Sequence, residues 1–139
     1  MDERAAVADL PVSTFTADAV TEVPPSATLL EVADALAAGQ VGAAVVREEG
    51  RVVGVVSERD LVGALARRAP MDEVTAGEVA STELIWADAS APVVEVANEM
   101  LLNYVRHILV EEDGELVGIV SARDLLGAFS TSIDLEEIE

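Results

Sequence analysis

No feature of this chain constrains its fold as much as the fact that it is written twice. Gly54-Val55-Val56-Ser57-Glu58-Arg59-Asp60 recurs as Gly118-Ile119-Val120-Ser121-Ala122-Arg123-Asp124, 64 positions later. Sliding Val20–Leu65 onto Leu84–Phe129 without a gap gives 18 identities in 46 pairs, several times the chance level for so Ala- and Val-rich a chain. Repeat detection comes first because a repeat fixes architecture. Two copies imply a tandem pair that buries its apolar faces against itself, with a pseudo-twofold axis between the copies. A cleft on that axis is a natural place for a site.

Within each copy the same elements follow in order. The segment Phe15–Val23 leads through Pro24-Pro25-Ser26 into a helix over Thr28–Ala38, where Leu29, Val32, Ala33, Leu36 and Ala37 share a face. Ser26 is the expected cap and Gly39 the stop. Ala43–Arg47 and Arg51–Val56 read as a hairpin around Glu48-Glu49-Gly50, and Ser57 opens a second helix that Pro70 ends. In the second copy the strands are Leu84–Ala87, Ile108–Glu111 and Glu115–Val120, the last two around Asp113-Gly114. The helices are Pro92–Leu102 and Ser121–Phe129. The fold class is α/β (α+β), two β-α-β-β-α units. The expected division is an arm at 1–9, repeats at 10–69 and 77–130 joined by a linker at 70–76, and an acidic tail at 131–139.

Charge narrows the possible partners. Twenty-seven acids face eight bases, for a net −19, and every base is arginine. Such a surface suits molar salt, where self-repulsion is screened within a few ångströms, and it resembles the proteins of halophilic archaea. It argues against a nucleic-acid partner, which requires a basic stripe. No apolar run reaches the roughly 18 residues a membrane span needs, and the acidic start lacks the form of a secretory signal. With no cysteine there is neither disulfide nor thiolate chemistry. The expected location is cytoplasmic.

The spacing Ser-x-x-Asp serves two purposes. Ser57 with Asp60, and Ser121 with Asp124, have the spacing of a capping box, with the acid favourably placed in the helix dipole. The same corner offers N–H groups and a hydroxyl to an anion, and its acid can accept hydrogen bonds from the vicinal hydroxyls of a ribose. Capping and binding are compatible.

Two such β-α-β-β-α units, each ending in Gly-Val/Ile-Val-Ser-x-x-Asp, resemble the cystathionine-β-synthase-type (CBS) domain pair over about Leu10 to Ser130. The resemblance implies clefts that bind adenosine-containing ligands (AMP, ADP, ATP or S-adenosylmethionine), with Ser57 and Asp60 serving one and Ser121 and Asp124 the other. It also implies a phosphate role for Arg106 and His107 at the start of a strand, where the first copy has Gly42-Ala43. Arg offers a fork of donors and His a tunable one. Arg59 and Arg123 stand beside the acids, either as phosphate ligands or in ion pairs on the helix surface. Thr21 and Ile85 would line the adenine slots through backbone groups. Trp86 and Tyr104 suit base stacking, packing or a dimer contact equally. Where the family commonly has proline within the strand, Val45 and Leu109 stand.

Enzyme motifs are missing: there is no phosphate-binding Gly-Lys loop, no His-Glu-x-x-His and no Gly-x-Ser-x-Gly. The expectation is a regulatory module without catalysis, metal or obligatory cofactor. It would bind an adenine nucleotide or related small molecule and signal to an effector protein, as an isologous homodimer through helices such as Thr28–Ala38 and Asp60–Arg68. A ligand-independent interaction scaffold is the alternative.

Overall fold

Each copy builds a three-stranded sheet in the same order. The computed structural model describes residues 7–16 and 19–127. In the compact unit Val20–Leu84, β1 (Glu22–Val23) lies parallel to β2 (Ala43–Glu48), and β2 pairs antiparallel with β3 (Arg51–Ser57). A parallel pair needs a long crossover, and α1 (Leu29–Gly39) supplies it. Two more helices, α2 (Glu58–Ala66) and the short α3 (Ala76–Val79), complete the unit. In the other unit, β4 (Trp86–Asp88), α4 (Val93–Asn103), β5 (His107–Glu112) and β6 (Glu115–Ser121) repeat the arrangement, followed by a helix, α5, described over residues 122–127. The tail expected at 131–139 and most of the arm expected at 1–9 lie outside the described residues.

The cores follow the two periodicities. Leu29, Val32 and Leu36 of α1 pack with Ala44 and Val46 of β2 and Val56 of β3. Val93, Val96 and Met100 of α4 meet Ile108, Val110 and Val120 in the same way. Leu29, wholly buried, contributes about 1.5–3 kcal/mol by burial.

Several local expectations are corrected. Thr28, not Ser26, caps α1: its hydroxyl accepts from the Glu31 N–H (3.2 Å) while the Glu31 carboxylate accepts from the Thr28 N–H (2.9 Å). Gly39 is the last helical residue, and the left-handed cap falls on Gln40 (φ 53°), as on Tyr104 (φ 54°) in the second unit. The first hairpin loop is two residues, Glu49-Gly50, because Glu48 pairs with Arg51. Both its residues have positive φ (52° and 79°), as do Asp113 and Gly114 (53° and 81°). This sign suits the twist of the flanking strands.

Strand β1 is confined to Glu22–Val23, and Val12–Phe15 is a 3-10 turn that packs in the other unit. There Val12 is fully buried with Ala89 and Val93. Its N–H donates to the Ala91 carbonyl (2.8 Å), and the Val93 N–H donates to the Leu10 carbonyl (2.9 Å). Sixty-four positions on, Ala76 N–H donates to the Ala27 carbonyl (2.8 Å) and Leu29 N–H to the Val74 carbonyl (3.0 Å). The repeat therefore reaches back to residues 10 and 74, through segments 10–19 and 74–83 that share no identical pair. In both copies the segment ahead of a repeat docks in the compact unit of the other copy.

Candidate functional site

Strand register gathers the expected site residues at one end of each sheet. Ala43 lies directly opposite Ser57, and the Thr21 carbonyl accepts from the Val45 N–H (2.9 Å), so Thr21, Ala43 and Ser57 share an end. In the second unit His107 lies opposite Ser121, and the Ile85 carbonyl accepts from the Leu109 N–H (2.9 Å). The helix bearing Asp60 or Asp124 starts at that same end.

The corners are internally bonded. The Asp60 carboxylate accepts from the Ser57 N–H (2.8 Å) and hydroxyl (3.1 Å), while the Ser57 Oγ accepts from the Asp60 N–H (3.3 Å). Glu58 N–H is taken by the Gly42 carbonyl (2.8 Å). Asp124 accepts from the Ser121 N–H (2.9 Å), Ser121 Oγ accepts from the Asp124 N–H (3.0 Å), and Ala122 N–H donates to the Arg106 carbonyl (2.8 Å). The capping role read from the spacing is thus realised in both copies. An incoming anion meets a turn whose donors are largely engaged, so side-chain cations carry more weight.

Those cations differ between the copies. Arg106 is exposed and His107 half-buried, at the strand start where the first unit has Gly42 and Ala43. Arg59 and Arg123 are exposed, and neither makes an ion pair among the described residues. The salt bridge found among the described residues is Arg47–Glu22 (2.7 Å), on partly exposed side chains.

The backbone segments expected to line the adenine slots take part in the strand ladders. Thr21 and Ile85 each accept a ladder bond from Val45 or Leu109, and a proline at either position would release it. The Thr21 hydroxyl lies over Gly39, where a Cβ would sit 2.6 Å from Oγ1, while Ile85 packs against the second core. Trp86 (37% exposed) and Tyr104 (95%) are both outside the cores. Glu58 was not singled out by the motif; its signal was its mismatch with Ala122 in the other copy.

Among the described residues, no group of three His, Asp or Glu side chains is placed to hold a metal ion, and no helix is long and apolar enough to cross a membrane.

Residues 9–67 and 76–131 each match the family model of the CBS domain. An uncharacterised 17.7 kDa protein of Acidianus ambivalens is 32% identical over 122 residues, covering 84% of this chain and 71% of its own. An uncharacterised conserved protein from Pyrococcus horikoshii has a similar structure (TM-score 0.79, 28% identity, 87% of this chain and 92% of that one). So has a CBS domain protein from Pyrobaculum aerophilum complexed with AMP (TM-score 0.75, 34% identity, 88% and 99%).

Proposed function

Because this chain belongs to the CBS-domain family, we propose that it is a regulatory module that binds an adenosine-containing ligand and has no catalysis of its own. The observation that carries the reading is the strand register that sets His107 opposite Ser121, beside Arg106 and within one helical turn of Asp124. A guanidinium and an imidazole suit a phosphate, and a carboxylate suits a ribose. The Pyrobaculum aerophilum relative, 34% identical, is complexed with AMP, which supports the same ligand class here. Ser121, Asp124, Arg106, His107 and Arg123 would form the phosphate-competent corner, with Ile85 beside it. Ser57, Asp60, Arg59 and Thr21 would form a corner of different preference. Binding would bias one conformation over another, and an effector protein would read that bias.

A homodimer fits this reading. Leu30, Val62 and Leu65 of the first unit's helices and Val94, Leu101 and Leu126 of the second's are exposed apolar side chains. The acidic, lysine-free composition supports a chain at home in concentrated salt, as in a halophilic archaeon.

The complete capping boxes favour a second reading, an interaction scaffold in which Ser and Asp only close helices. Thermal melting in molar KCl with AMP, ADP, ATP, S-adenosylmethionine and NADH separates the two. A ligand at 100 times its Kd stabilises by about 2.7 kcal/mol, and no shift from any of the five would leave the scaffold.

A further inference from the structure

We infer that Glu58 is a charge-selecting residue, which turns phosphate away from the first corner and leaves it to an uncharged adenosine compound. The inference rests on the adenosine-binding reading above and adds what distinguishes its two sites.

The Glu58 carboxylate packs over Gly42. A Cβ on Gly42 would meet Glu58 Oε1 at 3.4 Å, Cδ at 3.5 Å and Oε2 at 3.8 Å. Gly42 is the counterpart of Arg106, and Glu58 of Ala122. The backbone frame is the same in both copies: Glu58 N–H donates to the Gly42 carbonyl, and Ala122 N–H to the Arg106 carbonyl, each at 2.8 Å. On one frame, then, the first copy sets a carboxylate against a bare backbone, and the second sets a guanidinium beside a methyl group. The exchange is reciprocal. The first corner holds two carboxylates, Glu58 and Asp60, and one guanidinium, Arg59. The second holds two guanidiniums, Arg106 and Arg123, with His107 and the single carboxylate of Asp124. Asp60 is already engaged with the Ser57 N–H and hydroxyl, while no ion pair among the described residues neutralises Glu58. A dianionic phosphate brought to that corner meets a carboxylate that has no ion-pair partner among the described residues, whereas adenosine brings no charge to repel.

The test is calorimetric titration with AMP and with adenosine at moderate salt. Asp124→Ala disables the second corner and isolates the first. In that background adenosine should bind and AMP should bind at least tenfold more weakly. Adding Glu58→Gln, which keeps the side chain's size, should strengthen AMP about tenfold and leave adenosine unchanged. In the otherwise native chain, Ala122→Glu should weaken AMP by a similar factor. Equal binding of AMP and adenosine to Asp124→Ala, no response to Glu58→Gln, or loss of adenosine binding from Asp124→Ala would each overturn the inference. The adenosine-binding reading would survive all three. Failure of the native chain to bind AMP or adenosine would overturn the inference, and failure with ADP, ATP, S-adenosylmethionine and NADH as well would overturn the adenosine-binding reading too.

Discussion

A Cβ placed on Gly118 would lie 2.7 Å from the Cβ of Thr16, so the glycine that opens the second motif is there to let the N-terminal segment cross β6. Gly54 has the same task in the first unit, where a Cβ would stand 3.0 Å from Ala80 Cβ and 3.1 Å from the Ser81 carbonyl oxygen. The Ser81 carbonyl and N–H also pair with Val55 (3.0 and 2.9 Å). Gly118→Ala should therefore destabilise the chain by about 1–3 kcal/mol, the cost of overpacking. A urea-unfolding double-mutant cycle with Thr16→Gly should show a coupling of about 1 kcal/mol. Additive effects would mean that Thr16 is not what constrains Gly118.

The capping boxes separate folding from binding. Ser57→Ala and Ser121→Ala should each cost about 1 kcal/mol of stability, as lost caps do. Asp124→Ala should abolish the melting shift given by a phosphorylated ligand while keeping the ligand-free stability within about 1 kcal/mol of the native chain. A much larger ligand-free loss would identify capping as the main task of Asp124.

Asp88 carries a pH signature among the described residues. The Ser90 hydroxyl and the Ser90 N–H both donate to its carboxylate, holding its pKa below the ordinary value of 3.8. The sign follows from a depressed folded pKa. The contribution to stability is present above the unfolded value and is lost as pH falls through the folded one. A carboxyl NMR titration should place the Asp88 midpoint below that of ordinary aspartates, and Ser90→Ala should move it back up. An unchanged midpoint in Ser90→Ala would remove the serine as the cause.

Salt should stabilise. With a net charge of −19, moving from low ionic strength to molar KCl relieves self-repulsion. If that relief is about 2 kcal/mol, Tm rises by roughly 5–10 °C. A flat or falling Tm would count against adaptation to concentrated salt.

The exposed helix faces test self-association. Light scattering should report a dimer for the native chain and a shift toward monomer for Leu101→Glu combined with Leu126→Glu, two positions 74% and 70% exposed. An unchanged mass with both substitutions would place any dimer contact elsewhere.

Much was legible because it is written locally. Short Val- and Ala-rich runs, apolar positions at helical spacing, and a Glu or Asp residue before Gly at each tight turn specify elements on their own. The offset of 64 then transfers each assignment to the other copy. The corner residues were legible too, since strand, turn and helix are contiguous around Ser57 and Ser121. What the sequence could not announce was the docking of residues 10–16 and 74–80. Their pairing runs through backbone groups, such as Val12 N–H to the Ala91 carbonyl and Ala76 N–H to the Ala27 carbonyl, which most side chains permit and none requires. Nor could it show that Gly54 and Gly118 are close-approach positions, or that the Glu58 carboxylate lies over Gly42. By itself the sequence determined a tandem pair of β-α-β-β-α units with unequal charge at the two motifs. Only the tertiary structure decided which backbone each side chain meets, because that depends on contacts between segments far apart in the chain.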